Sequence, residues 1–258
     1  MTTGVPLLEI RDLRVTFDGF HAVDGLDLTL FANEARFLIG PNGAGKTTLI
    51  DAITNLVHPT SGSIRFAGEE LVGRSENAIV RAGIGRTFQT PSVFEELTVL
   101  DNVDIAASFR LPITRLFRRR RGISDDVGQA LEAVGLATLA DEPAGTLSHG
   151  QRQWLEVAMV LCQRPRLMLL DEPVAGMTEA ERLRTGELIT RIAQEGTTLL
   201  VVEHDMDFVR RFASSVTVMH DGKMLTEGSV AEVQRNETVR EVYLGRPRDA
   251  RGAAEVPA

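Results

Sequence analysis

Cysteine, tryptophan and tyrosine each occur once in this 258-residue chain, and aromatic residues make up only 5% of it. One cysteine excludes an intramolecular disulfide, and a reducing compartment suits such a chain. Cys162 falls on an apolar helical face, the setting of a small buried hydrophobe. No apolar run approaches the roughly 20 residues of a membrane span. The N-terminus lacks a basic stretch followed by an apolar one. The expectation is a soluble, cytoplasmic protein that works at a membrane only by docking onto another protein's helices. Positive charge is also in short supply. The formal net charge of −8 argues against wrapping nucleic acid as the main task. The length suffices for a full α/β core, and no internal repeat is visible.

What the chain does have is Gly40-Pro41-Asn42-Gly43-Ala44-Gly45-Lys46-Thr47-Thr48, which fits the phosphate-loop pattern G-x-x-x-x-G-K-[ST]. Phe37-Leu38-Ile39 reads as the end of a buried strand. Leu49, Ile50, Ile53 and Leu56 recur at helical spacing. The glycines thus fall between a strand and a helix, where a backbone without Cβ atoms can turn its N–H groups onto phosphate oxygens. Lys46 brings charge to the β- and γ-phosphates and is expected to stand in solvent in the empty site. Thr47 offers its hydroxyl to Mg²⁺. Taken alone the loop says only nucleotide, and a small-molecule kinase stays open.

The rest of the chain supplies a framework. Leu8 to Phe17 and Leu26, Leu28 and Leu30 read as strands around Asp18-Gly19, and Ile64 and Phe66 form another closed by Ala67-Gly68. This opening predicts a small antiparallel sheet beside a parallel one. Beyond Phe88 the periodicity is helical. Thr98 caps Val99–Ala106, which Pro112 breaks; Ser124 opens a helix stopped by Gly135; Gln151 to Cys162 makes a third. Leu167-Met168-Leu169-Leu170 and Leu199 to Val202 are continuous apolar runs, the mark of strands buried on both faces. Thr178-x-x-Glu181 and Ser229-x-x-Glu232 are capping boxes, and Asp221-Gly222 marks a hairpin. Residues 1–86 and 164–245 are expected to form the α/β core, 87–163 an inserted helical lobe, and 246–258 a frayed tail.

A strand ending in Asp171-Glu172 can place one carboxylate on Mg²⁺ and a second beside an attacking water. His21, His58 and His220 have no metal spacing and read as turn or surface residues. Trp154 reads as core rather than ligand contact. Arg118 to Arg121, near Phe109, Arg110, Leu111, Arg115 and Phe117, reads as a solvated loop in preference to a lipid head-group contact.

Leu147-Ser148-His149-Gly150-Gln151 resembles the LSGGQ signature of ATP-binding cassette (ABC) proteins, with His149 where the family usually has Gly. Gln89 then matches the family's Q-loop, His204 its switch histidine, and Phe17 the aromatic that stacks on adenine. The resemblance runs from residue 7 to about 245. It implies a P-loop NTPase fold of RecA-like parallel sheet, antiparallel β subdomain and helical lobe. It implies ATP and Mg²⁺ as cofactors. Lys46, Gln89, Glu172 and His204 would be catalytic, and Thr47, Gln89 and Asp171 would hold the metal. ATP would be bound by Phe17, the loop from Gly40 through Pro41, Asn42, Gly43, Ala44, Gly45, Lys46 and Thr47 to Thr48, and by Ser148, Gly150 and Gln151, with Ser148 facing the opposite subunit's nucleotide. Where the family runs S-A-L-D after the acidic pair, this chain has Ala175-Gly176-Met177-Thr178.

With one copy of each motif and no span, the chain looks like a separate importer subunit. Glu241-Val242-Tyr243-Leu244-Gly245 is similar to the branched-chain amino-acid group, and residues 147–156 with 171–178 most resemble its urea-import members. That implies hydrolysis of ATP to ADP and phosphate coupled to uptake of a small solute, urea first and branched-chain amino acids as the alternative. A nucleic-acid-linked ABC ATPase is the more remote one. The implied partners are membrane permease subunits, a second cassette of the same or a related chain, and a periplasmic solute-binding protein indirectly, with no nucleic acid. The implied location is peripheral, at the cytoplasmic face of the inner membrane.

Overall fold

The computed structural model describes residues 4–109 and 124–244. Pro112, the run Arg118 to Arg121 and the expected tail lie outside them. Strands β1 (Pro6–Phe17) and β2 (Phe20–Phe31) pair through the two-residue turn Asp18-Gly19, where both residues take positive φ, as a hairpin turn of this length requires. With β4 (Ser61–Phe66) and β5 (Glu69–Glu70) they make a four-stranded sheet in the order β2-β1-β4-β5. The second sheet has the order β10-β9-β3-β8-β7-β6. It comprises β3 (Ala35–Ile39), β6 (Ile84–Arg86), β7 (Leu167–Asp171), β8 (Thr198–Val202), β9 (Ser215–His220) and β10 (Lys223–Gly228). All its pairings are parallel except β9 with β10.

Alternation along the central strands divides two apolar layers. Phe37, Ile39, Met168, Leu170, Leu199 and Val201 join one, with helices α3 (Val99–Ser108), α4 (Asp125–Val134) and α5 (His149–Leu161). Leu38, Leu167, Leu169, Leu200 and Val202 join the other, with α1 (Lys46–Ile53) and the antiparallel sheet. That is why β7 and β8 read as unbroken hydrophobic runs. Leu49, Ile50 and Ile53 have no exposed surface, and each contributes about 1.5–3 kcal/mol of burial.

The expected caps form. Thr98, Ser124, Thr178 and Ser229 each accept a backbone N–H in the first turn of the helix that follows, opening α3, α4, α6 (Glu179–Gln194) and α8 (Val230–Arg235). Several details differ from the sequence reading. Helix α1 ends at Ile53, because Asn55 turns into the left-handed region; Leu56 is left 44% exposed, off the apolar stripe. Helix α5 starts two residues earlier than Gln151, since Ser148 and Gln151 form a capping box. Three short elements have too few residues to show a period: α2 (Glu76–Ala82), β6 and α7 (Met206–Phe212). The final helix, α9, spans Glu237–Leu244.

Candidate functional site

Register places the site. In the parallel ladder Leu38 and Asp171 both lie opposite Val202, and Arg86 lies opposite Leu169. Strands β3, β7, β8 and β6 therefore end along one edge, where open parallel sheets hold their ligands. The segments that leave that edge are the loop 40–45, Glu172, Glu203-His204 and Thr87-Phe88-Gln89.

The loop leads directly into α1. Gly45 is the N-cap at φ 96°, with no side-chain cap bond to the first turn, so the helix's leading N–H groups are not occupied by a capping side chain. A Cβ on Gly45 would sit 2.2 Å from the Ala22 carbonyl oxygen, and one on Gly40 2.3 Å from that of Met219. Glycine is thus imposed at Gly40 by close backbone approach and at Gly45 by both that approach and φ. This uncapped helix start, with a lysine beside it, fits a phosphate group.

Lys46 corrects one expectation. It is not solvated: only 6% exposed, its Nζ donates to Gly40 O at 2.7 Å and Pro41 O at 3.1 Å. Burial lowers its pKa, and the carboxylates of Glu172, Asp171 and Glu203 oppose that shift. Asp171 is 3% exposed; burial raises its pKa against the pull of Arg86, while Glu172 and Asp51 raise it further and Lys46 lowers it. Glu172 takes φ 50°, uncommon for a residue with a side chain. Its carboxylate lies between two of the expected partners. Gln89 Nε2 donates to Glu172 Oε2 at 3.1 Å, and His204 Nδ1 stands 3.4 Å from Glu172 Oε1.

The signature residues lie in a different set of contacts. Ser148 Oγ accepts from Gln151 N and donates to Glu181 Oε1 at 3.3 Å, and Gln151 Oε1 accepts from Ser148 N. Gly150 packs so tightly on Glu181 that a Cβ would lie 2.5 Å from its Oε1. His149 Nε2 lies 3.1 Å from Ala175 O, so the departure from glycine ties the signature to the turn after the acidic pair. None of these bonds reaches the phosphate loop. Phe17, at the hairpin tip, is 47% exposed. Trp154 is core, 4% exposed, with Nε1 donating to Thr185 Oγ1 at 2.9 Å. Cys162 is buried. His21, His58 and His220 contact Thr16, Asn55 and Asp221 beside turns, as expected of surface histidines.

Three residues beside the site were not singled out from the sequence. Arg86 Nη1 donates to Asp51 Oδ1 at 2.6 Å, its Nη2 lies 3.5 Å from Asp171 Oδ2, and its guanidinium stacks 4.8 Å from the Phe88 ring centre. Glu203 is fully buried and accepts from the N–H groups of Val174, His204 and Asp205. Glu156, 4% exposed, accepts from those of Phe88 and Ser92. Burial raises both glutamates to about 7 against these hydrogen bonds. The available clue was a charge inside an apolar stretch, as in Trp154-Leu155-Glu156-Val157-Ala158.

Comparison with known proteins agrees with this geometry. The family profile described as "ABC transporter" matches residues 23–175, and that of "Branched-chain amino acid ATP-binding cassette transporter" matches residues 223–249. The chain is 36% identical to the high-affinity branched-chain amino acid transport ATP-binding protein BraF of Pseudomonas aeruginosa, covering 93% of this chain and 98% of that protein. It is 35% identical to LivG of Escherichia coli K12, with the same coverage. A solved nucleotide-free ATP-binding cassette superposes with a TM-score of 0.81 at 27% identity, over 93% of this chain and 100% of the other. A cassette solved in its ADP conformation also gives 0.81, at 29% identity, over 93% and 99%. The printed names of these relatives lend no support to urea as the solute. Together, the five motifs, the sheet order and these relatives establish that the chain belongs to the ABC transporter family, in the group of ATP-binding subunits that contains BraF and LivG, and is an ATPase.

Proposed function

We propose that this protein is the ATP-hydrolysing subunit of a branched-chain amino-acid importer. The observation that carries the reading is Glu172, held between Gln89 and His204 at the sheet edge that also carries the phosphate loop. On this reading the N–H groups from Gly40 to Thr48 cradle the β- and γ-phosphates, and Lys46 turns from its loop carbonyls to them. Glu172 accepts the proton of the attacking water. His204 supports the γ-phosphate, and Gln89 orients the water. Phe17 stacks on the adenine. Thr47, Asp171 and Gln89 would hold Mg²⁺, which when bound supplies charge neutralisation to the phosphates. The donor set, a hydroxyl, a carboxylate and an amide oxygen, is the hard oxygen set that Mg²⁺ prefers.

Residues 87–163 act as a lobe that carries the signature, and permease subunits dock where it meets the core. Exposed Leu56 and Phe88 (44% and 41%) offer apolar surface there. No helix among the described residues is long and apolar enough to cross a membrane, so on this reading the chain sits peripherally at the cytoplasmic face. A solute-binding protein reaches it only through the permease.

The names of the relatives favour branched-chain amino acids; the resemblance of residues 147–156 and 171–178 favours urea. One experiment separates them. The ATPase is reconstituted in proteoliposomes with the permease that co-purifies with it and the matching binding protein. ATP-dependent uptake of labelled leucine without uptake of urea is the expected result. Urea uptake alone would replace the amino-acid reading. ATP turnover with neither solute would overturn both.

A further inference from the structure

We propose that Glu156 is a positioning residue that straps the Q-loop to the signature helix and so sets where Gln89 stands relative to Glu172. The inference rests on the proposed role of Gln89 and goes beyond it by naming what holds that glutamine in place. Glu156 Oε1 accepts from Phe88 N at 3.2 Å and Ser92 N at 3.3 Å, and its Oε2 accepts from Phe88 N at 3.3 Å. A single carboxylate therefore grips both ends of the segment Gln89-Thr90-Pro91. Gln153, one turn earlier on α5, adds a bond from its Nε2 to Phe88 O at 3.4 Å. On the upstream side Thr87 N donates to Leu169 O at 2.9 Å, which fixes that end to β7. Gln89 is thus tethered to the sheet on one side and to α5 on the other.

A buried carboxylate is costly, and this one is raised to about 7 by its burial. An apolar residue would satisfy the helix stripe between Leu155 and Val157 equally well. The cost is offset by the backbone N–H groups of Phe88 and Ser92, which donate to it. The same rigid helix carries Ser148 at its N-cap, about two turns from Glu156. A displacement of the signature is thereby passed to Phe88 and Ser92, and through them to Gln89. Because Gln89 reaches Glu172 by one 3.1 Å bond, a shift of about 1 Å is enough to break it.

The test is a double-mutant cycle on the full chain, read as ATP turnover. Glu156→Leu keeps the volume and removes both acceptor oxygens. It is expected to lower kcat about tenfold with KM for ATP within about twofold, and to have less than about a twofold effect on kcat in a Gln89→Ala background. An equal loss in both backgrounds, or none in either, overturns the strap. A Gln89→Ala protein that turns over at the parent rate overturns the role of Gln89 itself, and with it the strap. If Glu156→Leu fails to fold by circular dichroism, Glu156→Gln decides. Its Oε1 can keep both bonds, so the Phe88 and Ser92 amides should stay protected from hydrogen exchange and kcat within about twofold of the parent. Parent turnover with those amides unprotected overturns the strap.

Discussion

Lys46 shows how a residue can be singled out by its spacing and still be wrongly placed. Its spacing after three glycines marks it as a phosphate ligand, but spacing says nothing about where its Nζ goes before nucleotide arrives. The structure folds it back onto Gly40 O and Pro41 O, because a buried ammonium must find acceptors. This sharpens the expected behaviour of Lys46→Ala. Two carbonyls lose a donor, worth about 1 kcal/mol. That lowers the melting temperature of the nucleotide-free protein by only about 2–4 °C. Nucleotide stabilises the parent by about 2.7 kcal/mol at a hundredfold excess over Kd, and that gain should vanish in the variant. Differential scanning fluorimetry with and without ATP measures both; a parent-sized rise with ATP would remove Lys46 from the binding site. Glu156, Glu203 and Arg86 mark the other side of legibility. Each is an unremarked charge in sequence, and each acquires meaning only through partners 35 to 85 residues apart or through loop backbone that no period encodes.

At the scale of elements, pieces with a strong local signal were legible and those without one were not. The strands β7 and β8, the two hairpin turns and the capping residues Thr98, Ser124, Thr178 and Ser229 all carry a local signal that can be read from the residues themselves. Helices α2 and α7, seven residues each, are too short to hold a period and depend on what they pack against. The two buried glutamates give these junctions a pH dependence. Glu156 holds the Q-loop to α5, and Glu203 holds Val174 to the end of β8. Both are raised from 4.5 to about 7, so the native state binds more protons than the unfolded chain between those values. Stability therefore falls as pH rises through that window and levels off above about 7. The lowered carboxyls of Asp24, Glu181, Asp205 and Glu232 work the other way, and their contribution is lost in acid below about 4.5. Thermal melts should be highest near pH 5–6. From pH 8 to 6 the two glutamates together release about 2–3 kcal/mol, a rise of roughly 5 °C or more. A Glu203→Gln chain should show a shallower slope over the same range, and a parent slope that is flat from pH 6 to 8 would show that neither glutamate titrates there.

At the scale of the whole molecule, the phosphate loop and the signature residues are held in separate sets of contacts. The loop 40–48 belongs to the sheet edge. Ser148 and Gly150 belong to the start of α5, where Glu181 and Ala175 hold them. If Ser148 and Gly150 bind phosphate as the family resemblance implies, a second cassette turned head to tail would supply it. Each ATP would then be contacted by the loop of one subunit and the signature of the other, with its γ-phosphate shared between them. Hydrolysis removes that shared anion. What remains are two chains of the same sign, each with a formal net charge of −8, and like net charges oppose association. Glu172→Gln isolates the step, since it keeps the amide of Gln89 and the ring of His204 near a side chain of the same shape but removes the proton acceptor. The variant should bind ATP, hydrolyse it at least about a hundredfold more slowly, and accumulate as a dimer. Size-exclusion chromatography with light scattering reads the mass directly. The parent should run near the 28.2 kDa monomer with ADP and with ATP, and the Gln variant near twice that with ATP and Mg²⁺ only. A monomeric variant at high protein and ATP concentration would mean that this chain does not pair with itself. Repeating the measurement on the detergent-solubilised transporter would then show whether it pairs with a different cassette, whose interface would complete the two half-sites, or acts without closure.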